Sequence, residues 1–267
     1  METKKKYVLI TGATSGIGYE LAKLFAKDQY NLIIVGRDQT ELEAKAQEFT
    51  ALGSTVATIK KDLFNREETL SIYQEVNSLG LEVEVLVNDA GQGVYGLFNE
   101  TELDRELSII ELNVSATVIL TKHFLKDMVS RGSGKILNLA SIASKTPGPW
   151  QAVYHGTKAF VLTFSEGLRE ELKDTGVTVT ALLPGVTDTD FFNKADMNDS
   201  KAIEDPSDMA DPSKVASDGY QALMEGKDKV ISGFKNKVQM AMSNVLPDIM
   251  VAKNMNEMQK PQNEEKP

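Results

Sequence analysis

The sequence predicts a single α/β domain, doubly wound around a mainly parallel sheet with helices on both faces. Three observations predict it. Short apolar runs rich in Val, Ile and Leu alternate along the chain with longer segments of helical spacing. The first run ends in a glycine-rich turn that opens a helix. No linker or internal repeat divides the 267 residues.

The elements follow in order. Tyr7-Val8-Leu9-Ile10 is the first strand, and Leu21, Leu24 and Phe25 recur at helical spacing behind it. Asn31 to Val35 is the second strand, and Asp38 to Leu52 is a polar-rich helix. Val56 to Ile59 is the third strand, with a helix over Glu67 to Leu79. Val83-Glu84-Val85-Leu86-Val87 is the fourth, with a long helical region from Thr101 to Ser130. Lys135 to Leu139 is the fifth, with a helix from about Ala152 to Lys173. Val177 to Leu182 is the sixth, and a short last strand runs from Lys229 to Ser232. Strands separated by helices imply parallel pairing through right-handed crossovers. The domain is expected to span residues 1–255. Within it, the polar, acidic stretch 187–211 is expected to be a lid or disordered. Residues 256–267 lack periodicity and are expected to form a flexible tail.

Composition narrows the function. Hydrophobic residues make up 41% and charged residues 25%, enough for one large core without a staple. The absence of cysteine excludes structural disulfides, thiolate metal sites and cysteine nucleophiles, and fits a cytoplasmic enzyme. No metal is expected. A net charge of −10 argues against nucleic acid. Lys4-Lys5-Lys6 has the charge of a signal peptide, but the apolar run behind it, Tyr7 to Ile10, is too short. No apolar stretch approaches the roughly 20 residues that span a bilayer.

The turn after the first strand reads Thr11-Gly12-Ala13-Thr14-Ser15-Gly16-Ile17-Gly18. Glycines let the backbone turn sharply and approach a phosphate, and the helix N-terminus offers free N–H groups and a positive dipole end. The spacing is Gly-x-x-x-Gly-x-Gly rather than the Gly-x-Gly-x-x-Gly of many Rossmann-like dinucleotide folds. Together with Tyr154-x-x-x-Lys158 downstream, this resembles the short-chain dehydrogenase/reductase family, in its single-domain ketoreductase-like branch, over about residues 5 to 235.

Tyr154 and Lys158 are four residues apart on one helix face. A tyrosine titrates near 10, and a neighbouring ammonium lowers that value. Tyr154 can then give a proton to a ketone oxygen or take one from an alcohol. Taken alone, a Tyr-x-x-x-Lys is common on helix surfaces. The resemblance adds Ser141 as the donor that positions the carbonyl, and Asn113 as the asparagine holding a water in a proton relay beside the lysine. His155 is read as structural.

Strand two ends Ile34-Val35-Gly36-Arg37. An acidic residue there would bind a free ribose 2′-hydroxyl, whereas a guanidinium suits a 2′-phosphate, so NADP(H) is the expected cofactor. Ser15 can add a donor; the plainer alternative is that Arg37 only pairs with a carboxylate such as Glu41. By resemblance, Asp62-Leu63 contacts the adenine, and Asn88, Ala90 and Gly91 form a cofactor wall. Asp89 departs from the usual asparagine between them. Pro184, Gly185, Thr187 and Thr189 resemble the nicotinamide-side loop. Gln92, Tyr95, Trp150, Phe191 and Phe192 are candidate substrate walls; some of these aromatics could equally anchor the loop to the core.

The leading function is hydride transfer between NADP(H) and a small-molecule carbonyl or secondary alcohol. A non-catalytic NADP-binding regulatory protein is the alternative, and an epimerase or dehydratase a third. The apolar, methionine-rich segment 233–255, broken at Pro247, can pack on its own core, meet a partner subunit, or lie on a membrane. Its three lysines, Lys235, Lys237 and Lys253, are few for anionic lipid. The resemblance implies a homodimer or homotetramer, with this segment at an interface or over the substrate mouth.

Overall fold

The computed structural model describes residues 6–243 and 246–262. The strands are β1 (Lys6–Thr11), β2 (Asn31–Gly36), β3 (Val56–Lys60), β4 (Glu82–Asn88), β5 (Gly134–Leu139), β6 (Val177–Leu183) and β7 (Lys229–Ile231). They form one parallel sheet of seven strands in the order β3-β2-β1-β4-β5-β6-β7. Strands covered on both faces read as continuous apolar runs rather than alternating ones. β1 accordingly buries every residue from Tyr7 to Thr11, and β2 every residue from Leu32 to Val35. Each such Leu or Ile contributes roughly 1.5–3 kcal/mol over an exposed one.

Helices α1 (Gly16–Lys27), α2 (Gln39–Ala51), α3 (Arg66–Ser78), α4 (Leu103–Ile110), α5 (Ala116–Arg131) and α6 (Ala152–Glu171) make the crossovers. Local sequence sets their ends. Asp38 accepts from the Glu41 N–H at the start of α2, and Asn65 accepts from Glu67 and Glu68 at the start of α3. Gly132, left-handed at φ 71°, closes α5. One apolar cluster joins Leu9, Leu86 and Ile136 to Ile72 of α3 and Leu120 and Phe124 of α5. The other joins Val8, Ile10 and Val85 to Leu21 and Phe25 of α1 and to Val215 and Leu223 beyond it. The long helical region expected from residue 101 is interrupted at Glu111–Ser115 by a π-helical turn.

Three segments differ from expectation. The stretch 187–211 carries local structure rather than being disordered, and Phe191, Phe192 and Lys194 from it line the site cavity. It contains the short helix α7 (Phe191–Lys194) and 3₁₀ turns at Lys201–Ile203 and Pro206–Asp208. Its ends are pinched by a bridge from Thr187 to Ala210. Its acidic residues stay exposed, with two of them in surface ion pairs: Asp196 with Arg105 and Asp208 with Lys235. Next comes α8 (Pro212–Met224), which the sequence reading passed over; Asp211 caps it, Pro212 takes its first turn, and Val215, Ala216 and Leu223 are buried. Third, α9 (Phe234–Ser243) is followed across Pro247 by α10 (Asp248–Gln259), which continues past the expected boundary at 255. Residues 256–262 are therefore not a loose tail: Gln259 is buried, and Pro261 bridges to Ser200. Residues 263–267 lie outside the described residues. No helix among the described residues is long and apolar enough to cross a membrane.

Candidate active site

Strand order reverses between β1 and β4, which opens a crevice at the carboxyl ends of the strands. The register brings Thr11, Asn88, Asn138 and Ala181 into one row there. A polar network fixes that row. Thr11 Oγ1 accepts from the N–H groups of Asp89 and Ala90, both at 3.1 Å. Asn88 Nδ2 donates to Asn138 Oδ1 at 2.8 Å and to Thr121 Oγ1 at 3.0 Å. Asn138 donates onward to Ser165. Asn88 therefore stands behind the wall rather than on it.

A cavity of about 490 Å³ fills the crevice. Its floor is the glycine loop, with Gly12, Thr14, Ser15, Gly16 and Ile17 on the surface. Gly12 and Gly16 take φ of 75° and 59°, a region that favours glycine. A β-carbon on Gly12 would stand 2.8 Å from Asp89 Oδ2, and one on Gly16 3.1 Å from Thr189. Gly18 sits below the surface, where its own β-carbon would meet the Gly12 carbonyl at 2.5 Å. Ser15 precedes α1 without a side-chain capping bond, so the helix's first N–H groups face the cavity uncapped. This cradle fits a pyrophosphate. Arg37, Asp62 and Leu63 line one end of the cavity, and Ala90, Gly91, Pro184, Gly185, Thr187 and Thr189 line its walls. Arg37 stacks over Phe64, with its guanidinium carbon 5.0 Å from the ring centroid. No ion pair among the described residues joins it to Glu41.

Ser141, Tyr154 and Lys158 meet at the other end. Ser141 caps a short 3₁₀ turn, where its hydroxyl accepts from the Ala143 N–H at 3.1 Å. Ser144 reciprocates from the Ser141 N–H and donates to the Lys158 carbonyl, locking this turn to α6. Lys158 Nζ donates to the Leu139 carbonyl at 2.8 Å and lies 5.9 Å from the Tyr154 ring centroid. Desolvation pushes the Tyr154 phenol up to about 12, and the hydrogen bond with Ser141 opposes that rise. The expected lowering of the phenol by the Lys158 ammonium is not found, and burial dominates. Burial also brings Lys158 down to about 8, against a rise from the Asp89 charge.

Asn113 lies in the π-helical turn, a departure from α geometry that recurs at functional sites. It does not line the cavity. Its Nδ2 donates to the carbonyl of Gln92 at 2.9 Å and to Thr157, and its Oδ1 accepts from the Gln92 N–H. A β-carbon on Gly91 would lie 3.1 Å from Lys158 Nζ and 3.3 Å from Asn113 Oδ1, so the three converge. Asp89 is buried with a hydrogen bond from the Gly18 N–H, and one carboxylate oxygen has no partner. Desolvation lifts its carboxyl to about 7, against the pull of Lys158 and that hydrogen bond.

The expected substrate walls divide. Phe191 sits 5.1 Å from the Tyr154 ring, and Phe192 and Gln92 also face the cavity. Tyr95 and Trp150 do not line it. They stack at 5.8 Å and act as struts: Tyr95 donates to the Gln259 carbonyl at 2.6 Å, and Trp150 Nε1 to Asn256 at 3.0 Å. Their polar tips must find partners when buried, and α10 supplies them. His155, structural as expected, donates from Nδ1 to the Thr146 carbonyl, leaving Nε2 to accept from Gln259. Burial lowers its pKa. Met255, in the segment expected at an interface or over the substrate mouth, closes the cavity from α10, together with Met258 and Gln259, which lie beyond the expected boundary and were missed from the sequence. Only the methionines of that segment hinted at them.

Comparison with known proteins bears on this arrangement. The short chain dehydrogenase family model matches residues 6–200. The uncharacterized oxidoreductase YvrD of Bacillus subtilis is 36% identical over 190 residues, 71% of this chain and 72% of that protein. The ketoacyl reductase HetN of a Nostoc species is 33% identical over 67% of this chain, which spans 63% of HetN. A short-chain dehydrogenase from Sphingobium yanoikuyae, solved in complex with NADPH, superposes with a TM-score of 0.80 at 26% identity, covering 90% of this chain and 94% of its own. A bulky-bulky ketone specific alcohol dehydrogenase from Comamonas testosteroni does so at 0.76 and 25%, covering 91% and 94%. The parallel seven-stranded sheet, its glycine cradle and these matches agree, and the chain belongs to the short-chain dehydrogenase family of oxidoreductases.

Proposed function

We propose that this oxidoreductase transfers a hydride between NADP(H) and a carbonyl or secondary alcohol, with Tyr154 as the acid/base. The observation that carries the reading is the convergence of Ser141, Tyr154 and Lys158 on the same cavity as the glycine cradle. Bound along that cavity, a reduced nicotinamide supplies the hydride. Gly12, Ser15, Gly16 and Ile17 would hold its pyrophosphate; Asp62 and Leu63 its adenine; Thr187 and Thr189 its nicotinamide end. Arg37, stacked on Phe64 and without an ion pair among the described residues, suits a ribose 2′-phosphate. The relative solved with NADPH supports the same choice.

The two hydroxyls of Ser141 and Tyr154 address one substrate oxygen. A phenol held near 12 keeps its proton through the neutral range, so Tyr154 can serve as the acid in carbonyl reduction. Lys158, cationic below about 8, steadies the charge left on Tyr154 once its proton is given. Asn113 holds Gln92 and the Lys158 side of the cavity in place, the setting in which it would anchor a relay water. The ketoreductase name of HetN and the ketone specificity of the Comamonas enzyme support a carbonyl substrate. The reading includes a homo-oligomer acting in the cytoplasm, the former read by light scattering. The test is a panel of aldehydes, ketones and β-keto esters with NADPH, followed by absorbance, with NADH in parallel. NADPH binding without turnover of any carbonyl would favour the non-catalytic alternative.

A further inference from the structure

The catalytic cavity does not end at Tyr154. A second cavity of about 460 Å³ lies between α9 and α10. Thr146, Gln239, Met255 and Met258 line both, so the two adjoin across these side chains, of which the last three come from α9 and α10. The second cavity is apolar: Val238, Met242, Leu246 and Val251 face it. Val238, Met242 and Met258 are left 43%, 57% and 47% exposed, an apolar surface the fold itself does not cover. Among the described residues lining it, the one cation, Lys235, is already paired with Asp208 at 2.7 Å. The groove therefore has no spare charge with which to select an ionic ligand. Its volume is within the range of small-molecule pockets. Methionine walls are unbranched and adaptable, which suits a flexible chain more than a rigid polar one.

We propose that this groove is a subsite for a long, neutral apolar tail of the substrate. The tail would run from the carbonyl at Ser141 and Tyr154, past Met255 and Met258, into the space between α9 and α10. Adjacency to the catalytic cavity, from which only Thr146, Gln239 and the flexible side chains of Met255 and Met258 part the groove, selects this occupant over a lipid surface or a second copy of the chain. The substrate class is then a long-chain ketone or secondary alcohol. This rests on the hydride-transfer reading, and the test separates the two.

NADPH-dependent reduction of 2-butanone, 2-octanone and 2-dodecanone is compared at equal subsaturating concentration. The ratio kcat/KM should rise with length, by at most about fourfold per methylene, until the groove is filled. Val238→Trp and Met242→Trp each fill the groove from a partly exposed position, so at least one should fold. Either should cut the dodecanone-to-butanone ratio of kcat/KM by about tenfold or more. A readout independent of turnover is the fluorescence of N-phenyl-1-naphthylamine, a neutral apolar dye. It should bind the wild type, be displaced by 2-dodecanone but not 2-butanone, and bind both variants weakly. Turnover with no rise along the series, or a rise that both variants keep, would overturn the proposal. So would a dimer that Met242→Trp splits in light scattering, or vesicle binding that it abolishes. If no ketone turns over, the reductase reading fails and the dye displacement alone decides the groove.

Discussion

Beneath the cavity, Leu9 of β1, Leu86 of β4 and Ile136 of β5 are fully buried in a sheet packed on both faces. Above it, α10 buries only Val251, Met255 and Gln259. The cap is instead held by single polar links: Tyr95 and Ser200 to the Gln259 carbonyl, Trp150 to Asn256, and Gln259 to His155. A hydrogen bond contributes about 0.5–1.5 kcal/mol, less than one buried Leu, so the cap is the less stable of the two regions. The division suits the work of each. Cofactor and proton chemistry need fixed positions, which the sheet supplies. A substrate with an apolar body needs an entrance that yields.

The comparison is sharpest at Tyr154. Tyr154→Phe removes the acid from the rigid region without touching the glycine loop. It should lower kcat by about 10²–10⁴-fold and leave NADPH affinity, measured by fluorescence titration, near the wild-type value. Turnover close to wild type would show that the rigid region does not carry the chemistry.

Asp89→Asn probes a place where the rigid region is under electrostatic load. In the unfolded chain the carboxyl titrates near 4. In the fold it titrates at about 7, so Asp89 disfavours the native state increasingly as pH rises from about 4 to 7. The variant should therefore match the wild type below pH 4 and exceed it above pH 7, by something on the order of a few kcal/mol. Thermal melts across that range check it, and a constant offset at all pH values would contradict the assignment.

Arg37→Ala should cost about 1.5–3 kcal/mol towards NADPH alone, a fall of one to two orders of magnitude in the NADPH/NADH preference. Equal losses for both cofactors would make Arg37 a structural partner of Phe64.

The smallest expected effect concerns the cap. Trp150→Phe keeps the stack on Tyr95 and removes the bond to Asn256. It should cost about 0.5–1.5 kcal/mol locally. Hydrogen exchange should quicken in residues 248–259 while the sheet's amides stay protected. Faster exchange across β1 to β6 as well would mean that cap and sheet open together.

The same division explains what the sequence made legible. β1 and β2 hold contiguous apolar runs, β3 to β6 are short segments rich in Val, Ile and Leu, and the glycine loop and Tyr154-x-x-x-Lys158 are local patterns, so each is readable from its own residues. α8 was passed over because a polar stretch precedes it, although Asp211-Pro212 is a capping signal. The end of α10 carries only Met255 and Met258 as apolar residues among Asn254, Asn256, Glu257 and Gln259, a weak period on its own. Its order comes from Tyr95, Trp150 and His155, more than 100 residues away. Tyr95 and Trp150 looked like walls because aromatic composition does not reveal which way a polar tip is drawn. The rise of the Tyr154 phenol was likewise hidden, since desolvation depends on what surrounds the group rather than on its neighbour four residues away.

One extra residue sets the phase between α4 and α5. A π turn is a helix carrying a residue more than α geometry accommodates, and here it falls at Glu111–Ser115. Deleting that residue would let the segment close up as a continuous α-helix. Everything before it would then swing by about 100° and slide by about 1.5 Å relative to α5. The core face of α5, with Leu120 and Phe124, would stay seated on the sheet. Arg105 on α4 would be carried away from Asp196, and the stretch 187–211 would lose that latch. A one-residue gap at this point in a relative's alignment would thus mark a change in substrate entrance rather than neutral drift in a surface loop.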